Sequence, residues 1–505
     1  MRAFPALAVF ACATAVVAQQ PPAQTRPLVP PPLTLPRLPP VAPIVWPPRI
    51  GIFSQTQLTL QDVIEGVLAN DSDIEVSLLN RRISEYQLLS AQGAYDPVFA
   101  VAPTWEEQVI PVASVISGGP GGKLTQNTWT VTPQVSWPTP FYGSSYLVSF
   151  ASTRLSTNNQ FVVLSPQYPS SLTFSFTQPL VRNLRIDNVR RTIQVAKRNV
   201  ALSDEQFRLQ VITSVTQAVQ AYWELAYVYG NLAVQRQAVE LARQQLVDNQ
   251  RLVEKGLLAP IDVVQAETQV ATFQQTAYAA EQALATQENL VKTLILRDRN
   301  SPMWTSALIP VTPLPPEVPQ ITLDEALADA MTERPELAQL RISSEINRIN
   351  TRYFRDQTKP QINAIASFSS AGLAGSPILQ TSAAEFGSTT SELVARVNQL
   401  SAAAGLPPIP TGGGVTVPPT SVGGYGQSLN NLFRWRYPTF IAGLQISFPF
   451  LNRTATGNLE ASISQQRVIE NQQIGTAKAV EADVRNALQT VRSTESRMAA
   501  AQGEG

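Results

Sequence analysis

An internal duplication governs what this chain can fold into. A segment running from Leu58-Thr59-Leu60 to Asp96-Pro97 returns 263 positions later as Ile321-Thr322-Leu323 to Lys359-Pro360, with no gap in register. Thr59 falls on Thr322, Leu60 on Leu323, Ile83 on Ile346 and Pro97 on Pro360. In both copies a helical pattern gives way to an alternating one at the proline. Gln178-Pro179-Leu180 and Phe448-Pro449-Phe450 then each close a strand pattern and open a long helical one. Repeats set the architecture, and a period of this length exceeds that of a solenoid. The chain therefore reads as two copies of a helix–strands–long-helix unit, residues 55–320 and 321–505.

Two segments precede the repeats. Residues 1–18 read as a secretory signal: Arg2, an apolar run from Ala6 to Val17, and a small-residue cleavage site at Val16-Val17-Ala18. The run is too short for a membrane-spanning helix. Cys12, the only cysteine, lies inside it, so cleavage leaves no thiol or disulfide chemistry. A rival reading makes Cys12 a lipid-attachment site. Residues 19–54 form a Pro-rich extended tether, with Pro30-Pro31-Pro32, Pro39-Pro40 and Pro47-Pro48.

Composition removes most chemistry. The 37 basic and 37 acidic residues balance, which leaves no electrostatic case for nucleic acid. There is no histidine, the commonest general base and metal ligand. No catalytic residue, cofactor or metal is expected. Asp62, Glu65 and Asp324 fall in first helical turns, where acids suit the helix dipole. Arg81-Arg82 and Arg190-Arg191 read as solvated helix faces.

From Asn183 to Lys255 nothing breaks a helical pattern, a length of roughly 110 Å. Leu225, Leu232, Val239, Leu246 and Val253 recur every seventh residue, then Gly256 and Pro260 stop the helix. Val263, Val270, Ala277, Leu284 and Val291 form a second heptad series. Such series mean coiled-coil packing. The helical stretches 58–92 and 261–297 together match the long one, as expected if two short helices stack end to end along it. Residues 256–260 read as a tight exposed turn, with Leu257 and Leu258 facing solvent as a partner contact or, alternatively, as a small self-capping cluster.

Between the helices the period changes to two. Four alternating segments lie in 97–181 and two more follow at Ile362–Phe368 and Phe440–Phe448. Leu172, Phe174 and Phe176 alternate with Thr173, Ser175 and Thr177, while Phe440, Leu444 and Ile446 alternate with Gly443, Gln445 and Ser447. One apolar and one small-polar face fit a β-barrel wall between lipid and water, and a soluble sandwich gives similar alternation. Aromatics near segment ends (Trp105, Trp137, Phe141, Tyr142, Trp435, Tyr437) favour membrane interfaces. Ala371 to Arg434 reads as a long loop with a helical patch near 384–403.

These residues resemble the TolC-like outer-membrane efflux proteins. Leu58 to Val63 with its echo Ile321 to Ala326, Ser171 to Leu180, and Val253 to Val263 carry the resemblance, which spans about 55–505. It implies a mixed α and β fold: a transmembrane β-barrel joined to a long periplasmic α-helical coiled-coil barrel, closed by trimerisation. It implies an exit duct for drug efflux or type I secretion in the outer membrane of a Gram-negative-type bacterium, with no enzyme activity. The implied partners are two further copies in a homotrimer, outer-membrane lipid, a periplasmic adaptor (membrane fusion) protein and an inner-membrane pump. The adaptor-docking tip would be Gly256, Leu257, Leu258, Ala259 and Pro260. Leu172, Phe174, Phe176, Phe440, Leu444 and Ile446 would face lipid. Two departures stand out. The first copy has four alternating segments where the family has two, and the second long helix stops at Gly505, so the second repeat reads as truncated. The alternative function is a secreted structural or adhesive coiled-coil stalk with a β head.

Overall fold

Thr59 and Thr322 open their helices in the same way. In a computed structural model, each threonine hydroxyl accepts from the backbone N–H three residues on, and the carboxylate there, Asp62 or Glu325, accepts from the threonine N–H. These are reciprocal capping boxes. They start α1 (Leu60–Asn70) and, in the second copy, α5 (Leu323–Glu333). The structure describes residues 46, 48–113, 120–159, 162–313, 321–378, 383–408 and 417–503. The signal segment, Cys12 and most of the tether lie outside them.

The helical stretches read as continuous each carry one break. Asp71 (φ −64°, ψ 122°) separates α1 from α2 (Ser72–Gln92), and Arg334 (φ −65°, ψ 120°) separates α5 from α6 (Pro335–Gln357). Pro335 forces the extended conformation on Arg334. In the first copy the Asp71 carboxylate caps α2 instead, accepting from the N–H groups of Asp73 and Ile74. Leu58 also departs from the helical reading. It ends β1 (Ser54–Leu58), which pairs in parallel with β6 (Ser306–Pro310).

The remaining strands form one sheet in the order β2 (Val98–Pro111), β3 (Lys123–Pro138), β4 (Ser145–Thr157), β5 (Leu164–Pro179), β7 (Gln361–Pro377) and β8 (Tyr437–Ser447). Every neighbour pair is antiparallel. β7 runs six residues past the point where a loop was expected at Ala371. Small residues such as Ala371, Gly372, Ala374 and Gly375 occupy both faces there, so the alternation fades while the backbone pairing continues.

The long helices follow: α3 (Asn188–Glu254), α4 (Pro260–Ile295) and α9 (Arg453–Gly503). Every position of both heptad series is buried. The end of α4 meets α1. Asn70 Nδ2 donates to the Ile295 carbonyl at 3.0 Å, and Arg297 pairs with Glu75 at 2.9 Å. Gly66 makes room, since a Cβ there would lie 3.1 Å from Ile295 Cβ. Two further helices, α7 (Ala383–Ala403) and α8 (Tyr425–Phe433), lie between β7 and β8. Contacts group the chain into two units, 1–51 with 230–283 and 52–229 with 284–505. In the first, the Trp46 ring packs edge-on to Tyr278 at 5.5 Å with Arg236 over its face at 5.1 Å, so the end of the tether docks onto the helices.

Candidate functional site

Two places carry the candidate residues: the sheet and the α3–α4 turn. In the sheet, register decides which side chains share a face. Phe174 lies opposite Val148 on β4 and Phe368 on β7, and Phe368 lies opposite Phe440 on β8. Val148 lies opposite Val135, and Val135 opposite Phe99. Directly opposed residues point to the same side of a pleated sheet. One apolar row therefore crosses all six strands. Leu172 and Phe176 share this face by alternation, as do Leu444 and Ile446 opposite Ala364 and Ile362. The two groups of lipid-facing candidates, separated by more than 250 residues in sequence, are thus brought onto one face.

The reverse face is small and polar. Gln134, Ser149, Thr173, Ser369 and Thr439 lie opposite one another in a row. At the end nearest the long helices the apolar face carries an aromatic stack. Trp137 lies 5.5 Å from Tyr146, and Tyr146 lies 4.9 Å from Phe176. Trp105 and Trp129 meet at 6.1 Å nearer the other end.

Arg190 is not a solvated helix residue. It pairs with Asp187 at 2.9 Å and donates to the carbonyls of Asn183, Leu184 and Arg185, closing the turn from β5 into α3. Arg191 stacks over Tyr353 at 4.6 Å, and Arg81 pairs with Asp204. These arginines bind elements together.

At the α3–α4 turn, Gly256 adopts φ +70° and Leu257 N–H returns to the Leu252 carbonyl at 2.9 Å. Gly256 N–H donates to the Val253 carbonyl, completing a Schellman motif in which glycine avoids the Cβ penalty. Ala259 offers no capping side chain. The Asp262 carboxylate accepts from its N–H at 3.2 Å, and Pro260 takes the first helical position. Leu257 is 71% exposed, but Leu258 is not free. It is partly buried and packs on the cluster of Ala242, Leu246, Val253, Val263, Ala266 and Val270, the self-capping alternative for that residue. Ile261 and Val264, one helical turn apart in the first turns of α4, are also exposed. They were missed because their spacing reads equally well as coiled-coil flank. A groove of about 400 Å³ lies alongside, lined in part by Gln245, Asn249, Leu258 and Phe273.

A family model described as outer membrane efflux protein matches residues 145–295, from β4 through α4. No curated protein matches the sequence. Among solved structures, CusC, whose crystal structures concern folding and transmembrane channel formation, superposes with a TM-score of 0.55 at 12% identity, covering 92% of this chain and 85% of that one. The Campylobacter jejuni CmeC outer membrane channel gives 0.53 at 13% identity, covering 87% and 74%. The outer membrane protein VceC from Vibrio cholerae gives 0.53 at 13% identity, covering 87% and 80%. The chain resembles the TolC-like outer-membrane efflux proteins, in sequence from residue 145 to 295 and in fold over most of its length.

Proposed function

We propose that this chain is a passive exit duct in the outer membrane, serving efflux or type I secretion as a homotrimer. The observation that carries the reading is the two-faced sheet whose strand ends pass straight into the long helices. An apolar row from Phe99 to Phe440 suits lipid, and the Ser/Thr-rich reverse face suits a water-filled lumen. β2 and β8 form the two edges of the sheet. Open edges are not tolerated in lipid. Because the strand count is even, β8 of one copy runs antiparallel to β2 of the next, and a ring of copies closes the wall.

β2 and β3, β4 and β5, and β7 and β8 are each joined at the sheet end away from α3 and α9. In this reading that end is extracellular and the helices are periplasmic. The turn at Gly256, Leu257, Ala259 and Pro260, with Ile261 and Val264, meets a periplasmic adaptor protein of an inner-membrane pump. The duct does no chemistry.

The test is purification from membranes. Detergent-extracted protein should run as a crosslinked trimer and give stepwise conductance in planar bilayers. A water-soluble, non-conducting product would overturn the duct in favour of a secreted stalk with a β head.

A further inference from the structure

We propose that β8 of one copy pairs with β2 of the next in one register, with Phe440 opposite Trp105 and Arg436 beside Glu107. This rests on the reading of the chain as a homotrimeric duct, and it names the contacts that close the wall. The row Phe99, Val135, Val148, Phe174, Phe368 and Phe440 runs straight across the sheet from edge to edge. Toward the long helices, β2 continues from this row by one residue, to Val98, and β8 by seven, to Ser447. Away from them, β2 continues by twelve residues, to Pro111, and β8 by three, to Tyr437. The two edges are therefore offset along the strands by six residues at one end and nine at the other. Tilted strands with level ends show such a stagger. Both edges are bare: Trp105 is 54% exposed and Phe440 71%.

Copies around a threefold axis stand at equal height, so the tilt sets the residue at which the row meets the next copy's β2. Across six strands at ~4.8 Å, tilts of ~35–45° need a step of roughly 6 to 8.5 residues. A step in the opposite sense would set Phe440 opposite residue 93 or an earlier one, ahead of β2. Opposed residues share a face, so only even steps keep the apolar side continuous. Six and eight remain, and side-chain chemistry separates them. A step of six sets Phe440 opposite Trp105, Leu444 opposite Val101 and Ile446 opposite Phe99, and every residue of β8 finds a partner in β2. Aromatic and apolar pairs of this kind stabilise a sheet. Glu107 lies on the same face as Phe99 and Trp105 by alternation. Among the described residues, neither Glu107 nor Arg436 has an ion-pair partner in its own copy. A step of six leaves Glu107 opposite Pro438, two residues from Arg436, where the two charges meet. A step of eight sets the carboxylate opposite the Phe440 ring and about 13 Å of strand from Arg436. A charge on the lipid side is costly without a partner, so the register is six.

The test uses cysteine pairs in a Cys12→Ser background, with the full chain purified from membranes in detergent. Directly opposed residues are close enough for a disulfide, and residues two places along are not. Trp105→Cys with Phe440→Cys should oxidise to covalent dimers and trimers on a non-reducing gel, since the two positions lie at opposite edges of one copy. Glu107→Cys with Phe440→Cys should stay monomeric on the same gel. The reverse result would make the step eight and overturn the register. Linking by neither pair, in a parent that light scattering shows to be a conducting trimer, would overturn the register and leave the duct standing. A monomeric, non-conducting parent would sink the duct and the seam together. Glu107→Arg should lower the temperature at which the trimer dissociates, and Glu107→Arg combined with Arg436→Glu should restore it. No recovery in the double reversal would remove the ion pair from the seam.

Discussion

The Tyr222 hydroxyl donates to the Leu58 carbonyl at 3.2 Å and accepts from the Thr312 N–H at 3.0 Å. One fully buried side chain of α3 therefore bridges the ends of β1 and β6. Tyr222→Phe keeps the ring but strands the Thr312 N–H, while the Leu58 carbonyl still accepts from the Val311 N–H at 3.1 Å. It should cost ~1–3 kcal/mol, since unpaired buried polar groups bear their desolvation penalty. Denaturant unfolding of the detergent-solubilised protein would measure this. An unchanged midpoint would mean that water takes over the bond to the Thr312 N–H.

The capping boxes predict a pH effect. Hydrogen bonds from the Thr59 hydroxyl, then the Thr59 N–H, hold the Asp62 carboxyl below its ordinary value, and Thr322 does the same for Glu325. A depressed folded pKa stabilises fully above the unfolded value and less as pH falls through the folded one. The contribution should therefore fade below about pH 4. Thr59→Ala and Thr322→Ala should each cost about 1 kcal/mol at neutral pH. Both should flatten the acid limb of a stability–pH curve, and parallel acid limbs for parent and variants would contradict the assignment.

The wall predicts an asymmetry between adjacent residues. Phe174→Arg should cost ~2–4 kcal/mol if the ring sits near mid-bilayer. Phe440→Arg should behave alike, because both rings lie in one row through Phe368. Ser175→Lys, on the reverse face, should alter conductance and spare assembly. Equal damage from Phe174→Arg and Ser175→Lys, judged by trimer yield, would point to a soluble sandwich.

The turn predicts a contrast between neighbouring leucines. Leu257→Asp should abolish export with trimer assembly intact, because Leu257 has no packing role. Ile261→Asp should do the same. Leu258→Asp should instead destabilise the hairpin through the buried cluster it covers. Crosslinkers at Ala259→Cys should capture the adaptor. Normal export by Leu257→Asp would exclude the turn as the docking surface.

The parts legible in sequence were those whose pattern repeats over many residues. Both heptad series and the six strand segments belong here, because period alone separates helix from strand. The break at Asp71 carries no glycine or proline of its own. Its signal sits 263 residues away in Arg334-Pro335, readable only by carrying the repeat back. β1 and β6 are five residues each, pairing Ser54 with Ser306 across most of the first repeat, and so short a pattern holds no period. α8 has nine residues between glycines and arginines, fewer than periodicity needs. Leu258 shows that sequence places a residue at a turn without saying which way its side chain folds.

The β3–β4 hairpin sets a width. In the proposed homotrimer, three six-stranded sheets would bring eighteen strands to one perimeter. At ~4.8 Å per strand and ~40° tilt, that is roughly 110 Å around and about 35 Å across between backbones. Four strands per copy would give about 24 Å by the same geometry. In that trimer the hairpin would act as a gauge, admitting cargo of larger hydrodynamic cross-section at the outer-membrane section. Polymer exclusion in planar bilayers reads that gauge directly, as the largest polyethylene glycol that still enters from the extracellular side.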